Sequence, residues 1–523
     1  MSADLILAGG RIYPLGRFGG RPVSHLAVAH GTVFAAGGAE LLGLRGKATR
    51  MVDLGGRAVL PGFDDAHAHV VYEGLTSHGA DLAGARSISE IQRRVRATAA
   101  RLAPGEWLIG RGYAEQELTE GRAPTRWELD EATAGRPAFI DHRGGHSRVA
   151  NSAALAAAGL GGDSADPPGG ALGRDAAGGL DGRLQEAAMR LVADVQPPPT
   201  LARRMEGILK VQARLLRVGV TSIGDAVNRG FADDLRAFAR LLDEGRLSLR
   251  VNQFLSFELL DAAVELGLGS GSGSHRLRAG PVKYFVDGGA STGTAAFRSR
   301  PFAAWRTPPD ELRQVLERAQ QARLQVATHC VGDAAIEAML DAVEHAQTRF
   351  PGPLLRHRVE HCTVCPPDLR ARMRRLGVMA VMQPLFAGFG RSRLAGPEGA
   401  TDVADVAAHR ALLRAGVRLA FSSDTPFAND PNPWSGLAAA VTDPDRDQRL
   451  TPLQALRCYT EGGAWSSHEE GFKGSLEPGR AADLCVYSAD PLRVSPKRWP
   501  RLRPLAVYVA GRRVSAGRPP TDG

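Results

Sequence analysis

The 523-residue chain predicts an α/β fold: a (β/α)8 barrel of the TIM type carrying a small composite β-sandwich domain formed by both termini. Three observations predict it. Apolar strand-like runs alternate with amphipathic helices through the middle of the chain. Glycine-broken β-rich segments of one texture occupy both ends. Polar, ionisable residues sit at the carboxyl end of one apolar run after another, which is where a barrel of this kind builds its sites. A chain of this length with 43% hydrophobic residues buries a large core and exceeds the usual single domain unless a barrel carries additions.

The elements follow in order. The runs DLILAGGRIYPLG and HLAVAHGTVFAAGG near the start, and GSLEPGRAADLCVYSADP and PLAVYVAGRRV after Gly474, read as short strands. They place one composite domain over residues 1–58 and 474–523, with the barrel over 59–473 and an insertion around 77–200. SISEIQRRVRATAARL reads as a helix opened by a capping box, Ser87 with Glu90, and carries Ile88, Ile91, Val95 and Leu102 on one face. TPPDELRQVLERAQQA reads as a helix with Thr307 as N-cap and proline at the first helical positions. DAAIEAMLDAVEHA repeats Ile336, Leu340 and Val343 at helical spacing, with Asp333 a candidate N-cap.

The stretch VLPGFDDAHAHV, residues 59–70, raises the functional question. Side chains at i and i+2 of a strand share a side, so His67 and His69 face one way and can share a metal ion. A lone His-x-His is more often a surface or hydrogen-bonded pair, so it needs partners. They occur at the ends of later apolar runs: Lys283 in GPVKYFVDGG, His329 in LQVATHCVGDAA, His361 in RHRVEHCTV and Asp424 in VRLAFSSDTPF. In a barrel those ends converge on one mouth, and six such placements together favour a metal site over satisfied core histidines. The chain has five lysines against an arginine-rich background, so a lysine in an apolar strand is informative.

Several other signals carry less. The net charge of +9 is spread along the chain; LRARMRRLG and PKRWPRLR are short clusters that read as solvated faces and not as a nucleic-acid groove. Five cysteines form no disulfide framework, and Cys362 with Cys365 is a lone C-x-x-C that reads as packing. GGASTG, residues 288–293, lacks the ending of a phosphate-binding loop. His357, four residues before His361, reads as structural. Without a signal peptide pattern or an apolar run of membrane length, a cytoplasmic protein is expected. Its expected partner is a small-molecule substrate, with no nucleic acid or membrane and with homo-oligomerisation open.

Beyond the six residues, the blocks EWLIGRGYAEQEL, APTRWELDEATAGRPAFIDHRGGHSRVANSAAL, PPGGALGRDAAGGLDGRLQEA, GVTSIGDA, VKYFVDGGASTGTAAF, THCVGDAAIEAML and LEPGRAADLCVY, in this order, resemble the amidohydrolase superfamily of urease-related metal-dependent hydrolases. The nearest subgroup is the one containing N-substituted formamide deformylases. The resemblance implies that His67, His69 and Asp424 hold one metal and His329 and His361 another, two divalent ions, zinc by default. Lys283, carboxylated by carbon dioxide, would bridge them. It further implies hydrolysis of a non-peptide C–N bond in an amide, N-formyl, N-acyl or cyclic amide by a metal-bound hydroxide, with Asp424 as proton shuttle. His146, Glu186 and Gln383 are the substrate-binding candidates, and Trp434 is a further one for the mouth. Val149 and Asp181 stand where relatives carry an aromatic residue and a threonine. An amino-heterocycle deaminase on the same barrel and an inactive scaffold are the alternatives; the strand lysine argues against the first, and the complete ligand set against the second.

Overall fold

The barrel is a single eight-stranded parallel sheet in strict chain order. In the computed structural model the strands are β1 (Phe63–Ala68), β2 (Val220–Asp225), β3 (Arg250–Ser256), β4 (Leu277–Phe285), β5 (Val326–Cys330), β6 (Arg358–His361), β7 (Met379–Met382) and β8 (Leu419–Phe421). The structure describes residues 2–226, 231–290, 293–299, 301–302, 304–394, 403–428 and 430–514. Ser291 and Thr292 of the GGASTG stretch lie outside them.

Chain order and parallel pairing follow from the crossover helices, which return each strand in the same direction. The ladder stops at β8, and closure comes from residues just past its end. Asp424 N–H donates to the His67 carbonyl (2.9 Å) and His69 N–H to the Thr425 carbonyl (2.8 Å), so the first and last strands meet at the mouth. An apolar shell between strands and helices, including Phe63, Phe238, Leu316, Met339, Leu437 and Trp434, forms the main core.

Two smaller sheets flank the barrel. One orders Thr32–Gly37, His25–Ala29, Leu5–Ala8 and Arg50–Asp53; the other orders Arg11–Ile12, Ala58–Pro61, Leu484–Tyr487, Ala506–Val509 and Arg512–Arg513. The second joins strands from both ends of the chain, and Leu7, Val28, Val59, Leu484 and Tyr508 share one buried cluster. Between β1 and β2 the chain builds a six-stranded sheet from Ala80–Asp81 to Leu180–Glu186, with its own apolar clusters. Among the described residues no helix is long and apolar enough to cross a membrane.

Three local expectations need correction. Ser87 Oγ accepts the Glu90 N–H (3.2 Å), but the Glu90 carboxylate reaches past Ser87 to the Arg86 N–H (3.0 Å), so the reciprocal box is not formed there. Complete boxes occur at Thr125 with Glu128 and Thr451 with Gln454. The helix Pro309–Gln321 is capped by Pro308, not Thr307, because a residue before proline is held extended and Pro308 itself stays extended. Asp333 is the first residue of the helix Asp333–Arg349, after Gly332 as N-cap, and its carboxylate accepts from Arg298 N–H (3.0 Å) and Ala334 N–H (3.1 Å).

Candidate metal centre

The six strand-end residues meet at the carboxyl mouth of the barrel. His67 lies in β1 and His69 just past it; Lys283 lies in β4, His329 in β5, His361 ends β6, and Asp424 follows β8. Register brings them together: Lys283 pairs with Ala327 and Phe285 with His329, while Cys330 pairs with His361. Imidazole centroids stand 5.2 Å apart for His67 and His69, 5.4 Å for His67 and His361, and 4.4 Å for His329 and His361. Asp424 Oδ1 lies 3.5 Å from His67 Nε2 and 3.2 Å from His69 Nε2. Lys283 is 2% exposed and close enough for its charge to act on His67, His329 and His361.

This donor set fits a cation. Buried polar atoms are normally hydrogen-bonded, yet among the described residues His67 Nε2, His69 Nδ1 and Asp424 Oδ1 are buried without a hydrogen-bond partner. One ligand atom from each of these residues falls within 4.8 Å of the other two. Nitrogen and carboxylate donors at such spacing suit zinc and related divalent ions.

The surroundings prepare the ligands. His67 Nδ1–H donates to Glu360 Oε2 (2.5 Å), which leaves Nε2 with its lone pair toward the mouth. Burial would raise the Glu360 carboxyl, but Arg358, bonded to it at 2.6 and 3.0 Å, and His67 outweigh burial and hold it ionised. His361 Nδ1–H donates to Gln383 Oε1 (2.8 Å), while Gln383 Nε2–H donates to Ser422 Oγ (2.9 Å). His329 Nε2–H donates to the Gly288 carbonyl (3.2 Å). Burial, reinforced by Lys283, pushes His67 down to about 3, and burial pushes His329 and His361 down as well, so the imidazoles are neutral donors at neutral pH. Burial lowers Lys283 to about 8 despite Glu360 and Asp424.

Backbone strain marks the same residues. His361 (φ 71°), Asp424 (φ 54°) and Glu186 (φ 49°) occupy the left-handed region, a cost of about 1–3 kcal/mol each that surrounding structure must hold in place.

The remaining sequence candidates separate. His146 reaches the mouth from the insertion, its ring 5.1 Å from His329, and its Nδ1–H donates to Glu186 (3.0 and 3.1 Å). Glu186 also accepts from Arg306 (3.1 Å) and Thr294 Oγ1 (2.5 Å). Gln383 stands behind His361, both ends of its amide engaged. Trp434 is not at the mouth: it packs against Phe63, Tyr487 and Trp499 in the core. His357 is buried below, where its Nδ1 accepts the Val326 N–H (3.1 Å). Cys362 and Cys365 are buried free thiols.

Glu360 and Arg358 escaped the sequence reading, although R-x-E at i and i+2 before His361 placed both on one strand face. Phe427, whose ring meets His69 edge-on at 5.0 Å, and Tyr72, stacked on it at 5.7 Å, were missed as well. Nothing in the sequence beside either aromatic residue distinguishes it from a packing residue.

Comparison with known proteins gives the family and the fold. Residues 50–515 match the sequence model of the amidohydrolase family. The chain is 28% identical to the N-substituted formamide deformylase of Arthrobacter pascens over 90% of this chain and 91% of that protein. It is 27% identical to the putative amidohydrolase YtcJ of Bacillus subtilis, over 86% and 87%. The crystal structure of an uncharacterised metal-dependent hydrolase from Pyrococcus furiosus superimposes with a TM-score of 0.73 at 30% identity, covering 94% of this chain and all of that one (100%).

Proposed function

Because the chain belongs to the amidohydrolase family, we propose that it hydrolyses a non-peptide C–N bond, in an N-formyl, N-acyl or cyclic amide, at two divalent cations held at the barrel mouth. The observation that carries this reading is that His67, His69, Lys283, His329, His361 and Asp424 lie on strand ends at one mouth, where His67 Nε2, His69 Nδ1 and Asp424 Oδ1 are buried without a hydrogen-bond partner among the described residues. His67, His69 and Asp424 would hold one ion, and His329 and His361 the other. Lys283 Nζ, as a neutral amine, would add to carbon dioxide and lose a proton, becoming an anionic carbamate that would help hold the two ions. Burial supports this step, because an ammonium lowered to about 8 supplies neutral amine near physiological pH.

The ions, zinc by default, would supply an acidified water and polarise the substrate carbonyl. The protein's residues do the rest. Asp424 takes the proton of the attacking water on its carboxylate and passes it to the leaving nitrogen as the C–N bond breaks, so that water and amide become carboxylic acid and amine. Glu360 and Gln383 hold the His67 and His361 rings in orientation, and His146 with Glu186 lines the substrate's side.

The test is metal content together with a hydrolysis screen of formamides, N-acyl amino acids and cyclic imides. Two ions per chain and turnover of one of these classes are expected. Lys283→Ala should keep at most one ion and lose activity, with part restored by short carboxylic acids; a variant that retains both ions would remove the bridge. Asp424→Asn should retain part of the metal while kcat drops by about 10²–10⁴-fold; near-normal turnover would take the proton transfer away from Asp424. A second reading is a single-ion deaminase, with the ion on the group His67, His69 and Asp424, whose ligand atoms lie within 4.8 Å of one another. One ion per chain with ammonia released from an amino-heterocycle would select it.

A further inference from the structure

A small cleft opens beside the candidate centre, lined by Tyr72, Arg111, Asp141, His142, Arg143 and Phe427 among others. It adjoins the centre directly, since the Phe427 ring meets His69 and the Phe427 N–H donates to the Asp424 carbonyl (2.8 Å). The ionisable groups around it are nearly all engaged. Asp141 accepts from Arg148 (2.9 and 3.2 Å) and from Tyr72 Oη–H (2.6 Å). Arg143 pairs with Glu117. His142 Nε2 lies 3.3 Å from Glu115, and its Nδ1 accepts the Gly144 N–H (3.0 Å). Arg111 differs: it is half-buried, and among the described residues its guanidinium has no hydrogen-bond or ion-pair partner.

We propose that Arg111 binds a carboxylate carried by the substrate, so that the amide cleaved here is that of an acid-bearing aryl or alkyl amine. The proposal rests on the hydrolytic reading for the word substrate, and on the cleft alone for the carboxylate. A guanidinium presents a planar fork that matches a carboxylate with two parallel hydrogen bonds, and a partly desolvated one gains more from that match than a solvated one. Its neighbours give the rest of the recognition. The stacked Tyr72 and Phe427 rings line the same cleft as Arg111, and Phe427 also meets His69, an aromatic surface suited to the carbon skeleton that joins a carboxylate to a scissile C–N bond. Arg111 stands opposite Asp141 in the strand ladder of the insertion, which fixes its backbone beside the cleft.

Two full-chain measurements test this. The first compares kcat/KM for N-formylphenylglycine and N-formylbenzylamine, which differ by one carboxylate, on wild type, Arg111→Gln and Arg111→Lys. Wild type should favour the acid-bearing substrate through KM; Arg111→Gln should lower that preference about tenfold, and Arg111→Lys should fall between. An unchanged preference in Arg111→Gln overturns the proposal. The second titrates phenylacetate, with benzyl alcohol as neutral control, into protein without added metal, so that no ion competes for the carboxylate. Phenylacetate should bind wild type about tenfold more tightly than Arg111→Gln; equal binding, or none to wild type, overturns the proposal. If neither formamide is hydrolysed but phenylacetate binding depends on Arg111, the hydrolytic reading fails and the carboxylate site stands.

Discussion

A neutral imidazole binds a cation through one nitrogen only if something else fixes the proton on the other. Besides the Gly288 carbonyl on His329, two side chains do so here in different ways. Glu360 accepts from His67 with a charge that Arg358 balances, whereas Gln383 accepts from His361 with a neutral amide held in turn by Ser422. The Gln383 arrangement separates two roles for that residue, because a side chain that orients a ligand and one that touches substrate leave different kinetic traces. Gln383→Met keeps the volume and removes the acceptor. Orienting partners of metal-bound histidines contribute about 10–100-fold in metal affinity, and a loss of that size is expected in a chelator competition, with the thermal midpoint of the metal-free protein little changed. A raised KM with undiminished metal affinity would instead return Gln383 to the substrate-binding role its position in the sequence suggested.

At the scale of elements, the ligands on β1 depend on how the following helix is seated. The helix Val70–Thr76 begins immediately after His69 and crosses the helix Leu201–Arg217 where Gly74 faces Gly207. A Cβ on Gly207 would lie 2.7 Å from the Gly74 carbonyl carbon, and one on Gly74 would lie 2.4 Å from that of Gly207. Backbone, unlike a side-chain tip, cannot turn aside. Replacing a helical glycine by alanine normally stabilises by about 0.5–1 kcal/mol, but overpacking of this kind costs about 1–3 kcal/mol, so the contact decides the sign. Gly207→Ala should lower the urea midpoint and weaken metal retention together; a stabilised variant would show that the two helices part without cost. Such a crossing was not legible in the sequence, since Gly207 reads there only as a weak spot in a helix. The ligands were legible for the opposite reason: each ends an apolar run, where polarity is unexpected on any account but a site. Arg358 and Glu360 fell between these cases. Alternating polar residues on a strand ordinarily face water, and only closure of the sheet into a barrel turns that face inward. The caps misread at Thr307 and Asp333 were errors of one residue, because proline and short polar side chains satisfy several neighbouring positions almost equally well.

For the whole molecule, the same burial that keeps the histidines neutral sets its response to acid. Burial lowers His67 and His357 to about 3, lowers His409 to about 3 with help from Arg391, and lowers His468 to about 4 with help from Arg356. His409 shows the cause most plainly, with both ring nitrogens buried and neither hydrogen-bonded. In the unfolded chain these groups titrate near the ordinary value of about 6.5. Between that value and the folded ones, these histidines bind more protons in the unfolded state, whereas Asp65 and Asp287, raised by burial to about 7, and Asp234, raised by burial to about 8, bind more in the folded state and act in the opposite sense. The histidine contribution to stability therefore rises with pH and is lost progressively on acidification below about 6.5, while the aspartate contribution falls with pH above about 4. Each such group contributes at most about 1.4 kcal/mol per pH unit, so a single buried histidine is a readable share of a typical total stability of about 5–15 kcal/mol. The melting points of the metal-free protein at pH 5.5 and pH 7.5 accordingly read the balance of the two sets, and a single variant isolates the histidine part. His409→Leu, far from any proposed ligand in role, should raise the melting point at pH 5.5 relative to that at pH 7.5, compared with the parent, while leaving the melting point at pH 7.5 near or above that of the parent. An unchanged difference between the two pH values in His409→Leu would mean that His409 takes up a proton as readily in the folded chain as in the unfolded one, and that burial does not hold it neutral.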